Sequence, residues 1–178
     1  MTTTDDVEAV ELVYRPTVAD AQEMLRARMR GTPGGRWTTR LLLAVGVVGL
    51  LLLAALRFGP EPDEPALIGG LFGLTGASFG LPFLLPRIQG RQLYRVAAPQ
   101  GEHRAVVDDH GVRWVTDHTQ MSTAWQFLPR YVETPGLFVL LTGDRNGLGV
   151  ACLPKRGVVG PDGVDRLRAV LDRRAARL

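Results

Sequence analysis

Two uninterrupted apolar runs dominate the pattern of hydrophobic and polar positions. Leu41 to Leu56 reads LLLAVGVVGLLLLAAL and Ala66 to Leu85 reads ALIGGLFGLTGASFGLPFLL, and neither holds a charged residue. A membrane-spanning helix needs about 20 apolar residues, because the hydrocarbon core is about 30 Å thick and a helix rises about 1.5 Å per residue. The second run has that length outright. The first gains it from Trp37, Thr38 and Thr39 before it and Phe58 after it, with Trp37 suited to an interface. The flanking Arg40 and Arg57 can carry their charges outward on aliphatic stems. Between the runs, Arg57 to Pro65 (RFGPEPDEP) is rich in helix breakers. The pattern predicts a transmembrane helical hairpin over residues 37–87.

Glycine strengthens the argument for lipid. Gly69, Gly70, Gly73, Gly76 and Gly80 fall in the second run, and each would cost about 1 kcal/mol in a water-exposed helix. In a bilayer, small residues become packing surfaces. Gly69, Gly73 and Ala77, and Gly76 with Gly80, follow a small-xxx-small spacing. Gly69, Gly73, Gly76 and Gly80 are therefore expected to form a helix-packing face. Pro82 and Pro86 are expected to end or kink the helix.

The polar flanks carry shorter periods. Over residues 1–36, Val7 to Tyr14 alternates as one strand. Thr17-Val18-Ala19-Asp20 then has the N-cap and N3 acid of a helix start. That helix is predicted to run to about Arg30 and stop at Gly31 and Pro33, with Val18, Ala21, Leu25 and Met29 on one amphipathic face. Over residues 93–178 the period changes to two. His103–Val107, Val112–Thr116, Met121–Phe127, Pro129–Glu133, Leu137–Leu141 and Leu148–Leu153 read as antiparallel strands. Asp108 to Gly111, Asp117-His118, Thr134 to Gly136 and Gly143 to Gly147 supply turns. Leu137–Leu141 is continuously apolar and so is predicted to be central and buried. Gly160 and Pro161 open a last helix whose Val164, Leu167, Leu171, Ala175 and Leu178 form one stripe. A curled sheet whose inner face needs that helix is an α+β arrangement.

Charge then gives orientation. The chain has 178 residues and a net charge of +3, and Lys155 is its one lysine. Arg26, Arg28, Arg30, Arg36 and Arg40 precede the first run, and Arg87, Arg91 and Arg95 follow the second. The connecting loop has Arg57 beside Glu61, Asp63 and Glu64. By the positive-inside rule both termini face the cytoplasm. The arginines are scattered and mixed with acids, with no basic stripe interleaved with aromatics, so nucleic acid is not an expected partner. The single Cys152 excludes an internal disulfide and a cysteine-rich metal site; it lies in an apolar run and reads as a buried, inert thiol. His103, His110 and His118 lack metal-ligand spacing, and no metal or cofactor is expected. Asp108-Asp109 and Ser122 with His118 make no catalytic constellation, and no enzyme activity is expected. Trp114 and Trp125 read as core. Lys155 and Arg156, at the end of the last strand, are the candidate site for an anionic headgroup or acidic partner, together with Arg130; pairing with a neighbouring acid is the competing reading.

A hairpin followed by Gly111-Val112, Ser122-Thr123-Ala124-Trp125, Phe138-Val139-Leu140 and Leu153-Pro154-Lys155-Arg156 resembles the YcxB-like family of bacterial membrane proteins. The Tyr14 to Asp20 stretch is similar to that family's opening strand and helix. Gly157, Val158 and Val159 depart from it, standing where the family usually has an aromatic. The resemblance implies a pleckstrin-homology-like (PH-like) half-barrel at the C-terminal end and an unassigned function. The expectation is a two-pass protein of the bacterial inner membrane whose cytoplasmic domain is a binding or regulatory module. Its partners would be the bilayer, anionic lipid headgroups or another protein. A homo-oligomer formed through the glycine face is the alternative.

Overall fold

The computed structural model describes residues 9–58, 65–144 and 150–178. The loop between the apolar runs and most of the 143–147 hairpin lie outside them. The first strand, β1 (Val10–Tyr14), is followed by helix α1 (Val18–Gly31). The helix starts where the capping box was expected. The Asp20 backbone N–H donates to Thr17 Oγ1 at 3.2 Å, and the Thr17 N–H donates to Asp20 Oδ2 at 2.8 Å. It stops at one buried residue. Thr32 donates through Oγ1 to the Arg28 carbonyl (2.9 Å) and accepts through the same atom from the Gly35 N–H (3.2 Å). Thr32 thus ends α1 and opens α2 (Pro33–Phe58), with Pro33 in the first turn, where its missing N–H costs nothing.

Helix α3 (Pro65–Ala97) is longer than the apolar run that seeds it. It continues through Pro82 and Pro86 for a further three turns beyond Leu85, so of the end or kink expected at these prolines, the end does not occur. Each proline removes one helical N–H bond and is expensive in an unsupported helix. Here the lower part of α3 lies against α1, where Pro86 and Gly90 are buried. A side chain on Gly90 would meet Gln22 at 2.7 Å. Close helix packing offsets the lost bonds. Helices α2 and α3 are each long and apolar enough to cross a membrane, with mean hydropathy 2.4 and 1.6, and only 11% of either apolar window is buried. Side chains such as Leu51, Phe72 and Phe83 point outward. The two helices meet through Gly46 and Gly49 of α2, where added carbons would press on Phe79 and Thr75 of α3.

The remaining strands form two four-stranded sheets. In the first, β1 pairs with β2 (His103–Val107), β2 with β3 (Gly111–Val115), and β3 with β4 (Gln120–Ala124), all antiparallel. The register sets Leu12, Ala105 and Trp114 in one row and Val10, Val107 and Val112 in the next, so one face becomes core. The second sheet has the order β7-β6-β5-β8, from β5 (Arg130–Glu133), β6 (Leu137–Leu141), β7 (Val150–Pro154) and β8 (Ala176–Arg177). The sheets meet where Leu12 bridges Val158 and the Val159 N–H donates to the Glu11 carbonyl at 2.9 Å. Helix α4 (Gly163–Arg174) closes the open end with Leu167, Val170 and Leu171.

The expected stripe on α4 holds through Leu171 and then leaves the helix. Ala175 is extended, and the chain turns into β8, parallel to β5. The Ala176 and Leu178 N–H groups donate to the Pro129 and Tyr131 carbonyls at 2.8 and 2.9 Å. Sheet bonds replace helical ones, and Leu178 is exposed. Residues 125–127, expected to extend a strand, form a 3-10 turn that buries Trp125.

Strand β6 is buried along its whole length, as its uninterrupted apolar sequence requires. Phe138 and Leu140 face the interior between the sheets; Leu137, Val139 and Leu141 face outward against Met24 and Ala27 of α1. The N-terminal strand, whose length and alternation permit it to join the C-terminal sheet, does so as the end strand beside β2, and α1 covers β6. Residues 15–102, with α1 and the apolar hairpin, are inserted between two paired strands, β1 and β2.

Candidate functional site

The basic residues at the end of β7 sit in an ion-pair network centred on Glu133. Alternation along β5 puts Glu133 on the same face as Tyr131, at the rim of the interior beside α4. Its side chain is 10% exposed and meets three cations. Lys155 Nζ and Arg168 Nη2 donate to Oε1, each at 2.8 Å, and Arg177 Nη2 reaches Oε2 at 2.8 Å. Arg168 also pairs with Asp165. Both Lys155 and Arg168 lie over the Phe138 ring, 4.9 and 5.8 Å from its centroid. Hydrogen bonds from Arg168, with Lys155 behind them, outweigh burial and hold the Glu133 carboxyl down at about 2. One carboxylate thereby ties together β5, the turn after β7, α4 and β8.

Arg156 points the other way, to α1. Its Nη1 and Nη2 donate to the two oxygens of Asp20, both at 2.5 Å, and Nη2 also donates to the Arg15 carbonyl at 3.0 Å. Burial alone would raise the Asp20 carboxyl, but the Arg156 guanidinium and the Thr17 bonds overcome it and leave it below the usual carboxylate range. Arg130 donates to the Thr142 and Asp144 carbonyls at 3.1 and 2.8 Å. The three cations singled out by sequence are thus held in three different places, each with partners inside the chain. The neighbouring acids were visible in the sequence, but their pairing spans 22 positions for Lys155 with Glu133 and 136 for Arg156 with Asp20. No local pattern shows such pairs.

Cys152 is partly buried beneath α1, and burial pushes its thiol up to about 12. It is no nucleophile at neutral pH. The Tyr14 hydroxyl donates to the Cys152 carbonyl at 3.2 Å, and burial raises the Tyr14 phenol. The Asp108 carboxylate accepts from the His110 and Gly111 N–H groups, and its carbonyl accepts from Trp125 Nε1 at 2.9 Å. His118 belongs to the Thr116–Thr119 turn. These groups serve turns and core. Among the described residues there is no group of three or more His, Cys, Asp or Glu side chains placed to hold a metal ion.

The fold leaves two surfaces open, the glycine face that the sequence marks for helix packing and a sheet edge that it does not place. On α3, carbons added at Gly69, Gly73, Gly76 and Gly80 would meet nothing within 4 Å. The glycine face points away from α2. On the first sheet, β4 pairs on one side only among the described residues. Met121 stands opposite Trp114, on the core-facing side, yet is 55% exposed, and Phe127 beyond it is 58% exposed. No family model, no curated protein and no solved structure matches the chain.

Proposed function

We propose that the protein is a two-pass membrane protein of the bacterial inner membrane, YcxB-like, with both termini cytoplasmic and its PH-like barrel serving as a protein-docking or regulatory module. The outward apolar faces of α2 and α3 carry the membrane part of this reading. A pair of helices this long with so little of either apolar window buried favours a non-aqueous surround. The four-plus-three antiparallel strands closed by α4, with β8 as an added parallel strand, support the PH-like part. Helix α1, held between β6 and the hairpin, fixes the module to the membrane instead of tethering it loosely.

The open edge of β4 is the surface that favours docking. Among the described residues its edge away from β3 has no partner strand, and with exposed Met121 and Phe127 beside it that edge offers backbone bonds and apolar contacts to an added strand. The headgroup role first considered for Lys155, Arg156 and Arg130 is less favoured, because each already has partners in the chain. A photo-crosslinking residue at Met121 in intact cells tests the reading. A discrete crosslinked partner, absent when the probe sits at Arg113 on the opposite face, supports it; no adduct at either position argues against it. Reporter fusions placing the 57–65 loop in the cytoplasm would overturn the orientation.

The uncovered glycine face favours a second reading, a homo-oligomer through α3. Dimers in mild detergent that are lost on Gly73→Leu would support it.

A further inference from the structure

The charges of this chain are unevenly satisfied. In the barrel, Arg104, Lys155, Arg156, Arg168, Arg174 and Arg177 all pair with carboxylates. Around the hairpin the described carboxylates between residues 20 and 100 are Asp20 and Glu23. Asp20 binds Arg156, and Glu23 accepts from the Gly136 N–H. Among the described residues, none of Arg26, Arg28, Arg30, Arg36, Arg40, Arg87, Arg91 and Arg95 pairs with an acid. These eight flank the two apolar runs along the chain.

Three of them share one cavity. Arg26 and Arg30 of α1 and Arg87 of α3 line a space of about 360 Å³ with Met29, Thr39, Pro82 and Phe83. Its level along the hairpin is fixed by sequence: Thr39 lies just before the first apolar run, and Arg87 is the first charge after the second. Its basic lining is these three arginines, and its apolar lining, Pro82 and Phe83, leads toward outward side chains such as Leu84. Guanidinium is suited to phosphate oxygens, which it can grip with two parallel bonds. A free phosphate would use only the basic wall. A molecule with a phosphate at one end and hydrocarbon at the other uses both.

We propose that this cavity is a binding site for the headgroup of an anionic phospholipid from the cytoplasmic leaflet, its phosphate held by Arg26, Arg30 and Arg87 and its chains lying along Pro82 and Phe83. The proposal rests on the membrane reading above. It also gives α1 a second role: the helix that covers β6 with Ala27 and Met24 presents Arg26 and Arg30 to the lipid. An occupied site would hold α1 to α3 and so set the barrel against the membrane.

The test is native mass spectrometry of the full chain in neutral detergent, titrated with phosphatidylglycerol or phosphatidylcholine. The wild type should retain one phosphatidylglycerol in preference to phosphatidylcholine. With about a fivefold loss for each charge removed near an anionic lipid, R26Q/R30Q/R87Q should bind about a hundredfold more weakly. R36Q/R91Q/R95Q removes the same charge outside the cavity and should stay within about threefold of wild type. Equal losses in the two triple variants would reduce the effect to general attraction by the basic belt and overturn the site. Equal retention of phosphatidylcholine would overturn it too, as would displacement of the lipid by millimolar glycerol phosphate, which would make the occupant a soluble anion. If R26Q/R30Q/R87Q does not fold, R87Q alone, with a fivefold loss expected, decides the matter by the same criteria. Failure of the membrane reading would be seen separately, as release of the wild type from membranes by alkaline carbonate.

Discussion

Replacing Glu133 by Gln removes the charge that three cations share while keeping the shape. A carboxyl lowered from 4.5 to about 2 corresponds to about 3 kcal/mol of stability at neutral pH, at about 1.4 kcal/mol per pH unit. Water reaches two of the partners, Arg168 at 30% and Arg177 at 54% exposure, and screens part of this. About 2 kcal/mol is the expected loss. For a domain of this size that lowers the melting temperature by roughly 10 °C. The sign with pH follows from the direction of the shift. The folded form holds its proton less tightly than the unfolded form, so the contribution is complete above about pH 4.5 and is lost as pH falls toward 2. Thermal unfolding of the full chain in neutral detergent, followed by tryptophan fluorescence, measures it, because Trp114 and Trp125 are both buried in the barrel. Glu133→Gln should melt well below wild type at pH 7, with the gap cut to less than half at pH 3 and closing further toward pH 2. An equal gap at both pH values, or no gap at pH 7, would refute the argument that the carboxylate's charge holds β5, α4 and β8 together.

Three further outcomes are expected. Leu171→Ala empties a fully buried position of the α4 plug and should cost about 3 kcal/mol in the same melt. Asp20→Ala removes the N3 half of the α1 capping box and the Arg156 pair, leaving the Thr17 cap in place; about 1 kcal/mol for the lost hydrogen bond and a similar amount for the half-exposed pair should lower stability at pH 7, with the deficit shrinking as pH falls below the carboxylate range. Gly46→Leu should destabilise the α2–α3 pair, because an added carbon would lie 2.8 Å from the Phe79 ring, whereas Gly73→Leu should leave the monomer unchanged; protease protection of the hairpin in membranes distinguishes them, and equal sensitivity would show that the glycine stripe packs within the chain.

What the sequence determined by itself is local or compositional. Two charge-free runs specify apolar helices because backbone bonding and hydropathy act within one segment. Thr17 and Asp20 specify the start of α1, since a cap and its partner lie three residues apart. Alternation and turn residues specify most strands, and the unbroken Leu137–Leu141 specifies a strand covered on both faces. Tertiary structure decided what depends on distant neighbours. That β1 joins β2 across residues 15–102 follows from matching apolar rows, Leu12 with Ala105 and Val10 with Val107, which no window along the chain contains. Helix α3 passes through two prolines because α1 supports it. The last residues leave α4 for β8 because the Pro129 and Tyr131 carbonyls offer sheet bonds there. The candidate cations illustrate the division best. Sequence picked out Lys155 and Arg156 as conspicuous charges, but only folding brought Glu133 and Asp20 to them. By the same folding, Arg26, Arg30 and Arg87 were gathered around one cavity with no acid among the described residues to meet them, because helices from separate parts of the chain converge where the apolar runs end.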